Sequence, residues 1–417
     1  MTSESLALTG LERGSIGTIS GIYALRMLGL FMIMPVFALY ARETFDAPEY
    51  LIGLALGGYG LTQAILQIPC GILSDYYGRK PIIILGLGLF ALGSLVAALA
   101  DNIYLVIVGR LLQGTGAIGS VLMATMADAT REQVRSKAMA YLGATIGTSF
   151  MLAMILGPVF NQNVGVPGIF WLTFIFALVS IGLALKFIPV ATSLILPKIK
   201  DLGEGQRGGH WRAVMQAILP QVINGELRKL YFGAFALHAI LAALFLVLPI
   251  LLQNAGFVAA KLWQVYLASL LLAFMLAMAI IHLMERRKSG ALWQKLSILM
   301  LLFSLSSLFY AEVNVVQQGA AVANCIVLVT CMVLFFTGFC VLEASLPAQA
   351  AKNVSIAGRG TALGIYSSAQ FLGIFLGGTF GGLVQSGFGV DAVFILCLLL
   401  ATLWFLISIN KIGKFYV

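Results

Sequence analysis

The strongest constraint on this chain is a recurrence: apolar runs about as long as a bilayer is thick, with nearly all charge confined to the breaks between them. The runs lie near 15–41, 50–74, 81–100, 103–127, 138–160 and 167–189, then near 230–253, 262–284, 292–311, 319–346, 358–386 and 392–410. A helix crossing the hydrocarbon core needs about 20 consecutive apolar residues, so 417 residues hold twelve crossings and little else. The chain is 60% hydrophobic and 10% charged, with a mean hydropathy of +1.00. Soluble domains carry roughly 25% charge, so a soluble enzyme or binding module is excluded. The reading is an all-α membrane protein of twelve transmembrane helices in two six-helix halves, 1–190 and 230–417, joined by a linker at 191–229. The first run is too long for a signal-peptide core and has no small-residue cleavage site, which makes it a retained span.

The net charge of +9 reports topology. With the N-terminus in the cytoplasm, 21 of the 25 basic residues fall inside, Arg42 and Lys261 fall outside, and Arg26 and Arg110 lie within spans. That is the positive-inside bias, counted over short loops. It places both termini in the cytoplasm. A nucleic-acid surface would need the same charges gathered on one soluble face. Within the linker, Trp211, Val214, Met215, Ile218, Leu219 and Val222 keep helical spacing for an interfacial amphipathic helix. Pro220 interrupts the pattern, so an irregular tether fits equally.

The halves resemble each other. Leu142-Gly143, Phe150 and Gly157 match Leu363-Gly364, Phe371 and Gly378 at one constant offset, as parallel repeats about the membrane normal require. The five cysteines all fall in apolar runs without CxxC spacing and read as packing residues. No grouping of His, Cys or acids suggests a metal. The absence of a GxxxxGK[ST] loop leaves the chain no nucleotide engine.

Between the second and third runs the chain reads Gly71-Ile72-Leu73-Ser74-Asp75-Tyr76-Tyr77-Gly78-Arg79-Lys80-Pro81. Gly71 and Gly78 permit close approach and a tight turn, and Asp75 and Arg79 set opposite charges at adjoining span ends. Arg110-Leu111-Leu112-Gln113-Gly114-Thr115-Gly116 follows in span four, and Gly143, Gly147, Gly157 and Pro158 punctuate span five. In this order on a twelve-span chain, these segments resemble the major facilitator superfamily. Ala24 to Met32 and Thr130-Arg131-Glu132-Gln133 are most similar to its YajR-type branch of drug/proton antiporters, whose extra C-terminal domain has no counterpart before Val417. The resemblance implies alternating access. It also implies a charged latch of Gly71, Asp75, Gly78, Arg79, Lys80, Asp128 and Arg131 that ties span two to span eleven in one state. Tyr76 stands where the family commonly has a basic residue, and Ala153 replaces a glycine of the antiporter pattern in span five. Topology alone would also account for the loop charges, and ordinary close packing for the glycines.

Ionisable groups at bilayer depth are rare and usually face a pathway. Arg26 and Arg110 are expected there, and Glu343 is read as the one carboxylate well inside a span. His238 is expected about 12 Å into span seven. A carboxylate withdrawn from water and an imidazole can each take and release a proton near neutrality, so Glu343 and His238 are the proton-coupling candidates; plain packing is the alternative for a lone histidine. Tyr59, Gln63, Gln67, Tyr366 and Gln370 are pathway candidates from their spacing. Two arginines against one acid favour neutral, zwitterionic or anionic amphiphiles. The expected protein is a monomeric proton-coupled exporter of a small molecule, with a proton gradient in place of a cofactor. A proton-coupled importer of a nutrient or chelate has the same architecture, and an intramembrane enzyme lacks the residues it would need.

Overall fold

The computed structural model describes residues 8–188, 219–258, 261–287, 289–318, 322–354 and 359–409. Residues 211–218 of the interfacial-helix expectation lie outside these. Every long regular element among the described residues is a helix. Eleven helical stretches are long and apolar enough to cross a membrane, and the longest, Glu132–Phe187, supplies two. Within it Gly165 has φ 69° and ψ 177°, a backbone state open to glycine and costly for other residues. That break separates spans five and six. The Asn161-Gln162 polar stretch continues the helix instead of ending it.

Span one comprises Gly10–Phe31 and Met34–Phe45, with Pro35 in the first turn of the second piece, where a missing N–H costs no hydrogen bond. Span two is Glu49–Tyr77 and span three Arg79–Ala98. The turn between them rests on Gly78 at φ 89°. Span four is broken around Gly116 into Ile103–Thr115 and Gly119–Asp128. Spans seven to twelve are Gly225–Asn254, Leu262–Arg287, Gly290–Gln318, Val322–Lys352, Arg359–Phe388 and Val390–Ile409. Span seven starts earlier than its apolar pattern suggests because Asn224 caps it, accepting from the Glu226 and Leu227 amides.

The buried apolar residues of both halves merge in one cluster. Span eleven lies along span two, span seven along span eleven, and the second piece of span one against span seven. The contact between spans two and eleven is backbone on backbone. A Cβ on Gly57 would sit 2.7 Å from the Phe375 carbonyl oxygen, and one on Gly60 2.5 Å from that of Phe371. Gly53 meets Gly378 and Gly382 without room for any side chain. All these contacts lie at mid-span or at the end away from Asp75 and Arg79. At the end bearing those charges, Gly143, Gly147 and Gly364 face open space. The close glycine contacts between the halves are therefore made toward one end.

Two expectations change here. Of the span-five glycines, Gly157 makes the close approach, against the Met32 backbone, while Gly143 and Gly147 make none. Close packing in span eleven comes from Gly373 and Gly377 on Phe235 and Ala239 of span seven, and from Gly378 and Gly382 on span two. Replacing Gly57 with Val should hold the closed end apart. Spin labels at the exposed positions Tyr50 and Phe388, in a background lacking the native cysteines, should show a longer mean separation than without the substitution; an unchanged distribution would contradict the packing argument.

Candidate transport site

The polar interior begins with the two arginines, and both are held by backbone. Arg110 is 2% exposed. It donates from Nε to the Ala55 carbonyl at 3.2 Å, from Nη2 to the Leu56 carbonyl at 3.2 Å and from Nη1 to Gln113 Oε1 at 2.9 Å. Gln113 in turn donates to Ser94 Oγ at 2.8 Å. The guanidinium lies 4.7 Å from the centre of the Tyr59 ring, within cation–π range, and Tyr59 meets Phe371 of span eleven edge-on at 5.8 Å. Arg110 and Tyr59 thus fasten span four to span two behind the contact with span eleven.

Arg26 is also 2% exposed, about 24 Å along the helix from Gly10, deeper than its apolar run implies because the helix starts earlier. Its Nη2 donates to Gln63 Oε1 at 2.7 Å and to the Gly116 carbonyl at 3.1 Å. The helix break in span four supplies that carbonyl. Gln63 passes the chain on to Gln67 at 3.0 Å. Arg26 Nε and Nη1 have no hydrogen-bond partner among the described residues, although the Phe90 ring lies 5.6 Å from the guanidinium carbon. A buried charge left partly unpaired costs several kcal/mol, so Arg26 keeps capacity for a further acceptor.

In the C-terminal half, three polar side chains from three spans converge. His238 lies about 20 Å along span seven from Gly225, deeper than expected, and is 4% exposed. Its Nδ1 is 3.0 Å from the Ala234 carbonyl, and its Nε2 is 3.4 Å from Glu343 Oε2. Gln370 Nε2 donates to Glu343 Oε1 at 3.1 Å and lies 3.2 Å from His238 Nε2. The imidazole rests edge-on to Phe339 at 5.9 Å, Phe339 stacks on Phe150 at 5.4 Å, and Phe150 meets Phe31 at 5.0 Å. That aromatic run carries the site across to spans five and one. The Glu343 side chain is 27% exposed, while its Oε2, which faces the imidazole, is buried. Tyr366, 2% exposed, lies close to Glu343 from span eleven, and Tyr23 does so from span one.

The loop charges divide into three groups. Arg79 pairs with Asp75, donates from Nε to Asp128 Oδ2 at 3.0 Å and from Nη1 to Ser74 Oγ at 2.6 Å. All of these contacts lie within the N-terminal half, and a Cβ on Gly71 would touch Ser120 of span four. Lys80 does not join the cluster; its Nζ donates to the Leu185 carbonyl at the end of span six at 2.7 Å. Arg131 also stands apart from Asp75. It grips Glu12 with its backbone amide at 3.1 Å, Nε at 2.9 Å and Nη2 at 3.0 Å, and the carboxylate beside it raises the guanidinium pKa further.

Sequence reasoning missed two acids. Glu12 closes a capping box with Thr9, and Thr-x-x-Glu before an apolar run is a legible signal. Glu312, 4% exposed, stands at the far end of span nine, beside Val313 where the apolar stretch closes. Span nine runs to Gln318, past the end of its apolar pattern, and Glu312 accepts a hydrogen bond from Asn254.

A twelve-span bundle in two halves, closed at one end over a polar interior, defines a secondary transporter. The chain belongs to the major facilitator superfamily, whose family model matches residues 19–351. It is 38% identical over 402 residues to the inner membrane transport protein YajR of Escherichia coli K12, covering 96% of this chain and 84% of that protein. A tetracycline resistance protein of class G from Vibrio anguillarum is 35% identical over 147 residues, 34% of this chain and 36% of its own. Among solved structures, the nucleoside transporter NupG superposes with a TM-score of 0.71 over 95% of this chain and 99% of its own, at 13% identity, a likeness of fold.

The Glu12–Arg131 grip joins the start of span one to the entry of span five. Glu12→Gln and Arg131→Ala should each lower the thermal midpoint of the protein in detergent, and the double variant should fall no further than the worse single one, as expected for groups that act on each other. Additive losses would show that the two residues work separately.

Proposed function

We propose that this secondary transporter is a proton-coupled exporter of small amphiphilic compounds, neutral or anionic, working as a monomer in a bacterial inner membrane with both termini in the cytoplasm. The contact between His238 and Glu343 carries this reading. Nδ1 faces the Ala234 carbonyl, which only accepts, so Nδ1 bears a hydrogen. One proton can then pass between Nε2 and Glu343 Oε2, which lie 3.4 Å apart. Glu343 exchanges with water, and the buried imidazole holds the proton out of it.

The basic-residue bias supports placing the open end, with Asp75 and Arg79, in the cytoplasm. In that orientation the proton leaves inward from the pair and cargo enters from the same side. The partly unpaired guanidinium of Arg26 favours a cargo that brings an acceptor or a negative charge. Likeness over a third of the chain to a tetracycline resistance protein supports export.

In proteoliposomes, Glu343→Gln should abolish flux driven by a pH gradient while leaving folding and cargo binding largely intact; wild-type coupling in that variant would remove the pair from the mechanism. Proton and cargo moving in the same direction would make the protein an importer. Asp75→Asn should slow cycling several-fold without weakening binding, read as turnover against affinity, because the Arg79 cluster loses one of its two carboxylates.

A further inference from the structure

Gln370 makes a pair of contacts that depends on where the proton is. Its amide nitrogen donates to Glu343 Oε1 at 3.1 Å and faces His238 Nε2 at 3.2 Å. An amide nitrogen has two hydrogens and no lone pair to offer. Both of its short contacts therefore require an acceptor, and His238 Nε2 accepts only when it carries no proton. With Nδ1 committed to Ala234, the arrangement describes the pair in its unloaded form. A proton taken from water that forms the N–H bond at Nε2 leaves two donors face to face. The Gln370 N–H···Nε2 hydrogen bond must then break, and the amide must turn its oxygen to the imidazolium or withdraw.

Gln370 sits on span eleven, directly before the stretch that closes the halves. Phe371 packs its ring on Tyr59 and its carbonyl on Gly60, Phe375 covers Gly57, and Gly378 meets Gly53. On the other side of the helix, Gly373 and Gly377 lie against the backbone of span seven, the helix that carries His238. A change in the hydrogen bond between spans seven and eleven thus falls within one turn of the contact that holds the closed end. The other titratable groups near Glu343 are Tyr23 of span one, Cys340 of span ten and Tyr366 of span eleven. None of them bridges His238 to span eleven among the described residues.

We infer that Gln370 is the positioning residue that reads the proton on the His238–Glu343 pair and passes it to span eleven as a change in the closure against span two. The inference rests on that pair being the proton carrier, and the test separates the two. The whole protein, labelled with ¹⁵N-histidine, has three histidines, so the His238 signal can be assigned by substitution and titrated directly. In parallel, labels at Tyr50 and Phe388 report the closed end as pH is varied. In the wild type, the ratio of closed to open populations should change at least fivefold across the His238 titration. In Gln370→Met, which keeps length and helix propensity, and in Gln370→Ala, His238 should still titrate while that population change falls below twofold. A wild-type pH response of the distance in either variant overturns the role of Gln370. A His238 that does not titrate in the wild type, together with full coupling in Glu343→Gln, instead overturns the carrier and the inference with it.

Discussion

The backbone contact between spans two and eleven is the constraint on which the rest of the structure depends. Helices in lipid gain nothing from burying apolar side chains against one another that the acyl chains do not already offer, so they associate through close packing and polar contacts. Gly53, Gly57 and Gly60 on one helix and Gly378 and Gly382 on the other remove the side chains that would hold the axes apart. The contact runs along one end only. Because it is made largely of small, flat surfaces, with the Tyr59–Phe371 ring pair as its main side-chain contact, the two halves can part there with little packing to break, as a two-state transporter needs.

Charge inside the bundle is handled in two ways. Arg110 is matched to backbone carbonyls, a glutamine and a tyrosine ring, and a group so fully engaged serves to hold spans two and four together. Arg26 and Glu343 are engaged less completely. Arg26 keeps two nitrogens without partners and Glu343 keeps one oxygen without a hydrogen bond. Incompletely satisfied groups are expensive in a low-dielectric interior, and in a transporter they mark where a proton or a cargo completes the set. Arg26 lies in the N-terminal half and Glu343 in the C-terminal half, so the incompletely satisfied groups are divided between the two.

Much of this was legible in the residues. The spacing of apolar runs gave twelve spans because a bilayer admits few other solutions, and the rarity of charge pointed to Arg26, Arg110, His238 and Glu343. Element ends were harder to read. Span seven begins at Gly225 and span nine extends to Gln318 because caps and polar helical turns continue a helix past its apolar core, which displaced the depth of His238. The loop charges were legible as a set but not as pairs. Arg131 lies three residues from Asp128, yet its partner is Glu12, distant in sequence, and Lys80, next to Arg79, bonds span six.

The sequence by itself determined that this chain spans a membrane twelve times in two related halves, since hydrophobic length and loop charge are local properties that each segment carries alone. Only the tertiary structure decided which polar groups face one another. His238, Glu343 and Gln370 come from spans seven, ten and eleven, and their meeting depends on helix rotation set by glycine contacts elsewhere in the bundle. Rotation by a third of a turn would leave every hydrophobic run unchanged and turn the three side chains away from one another. For that reason no reading of the runs could bring them together.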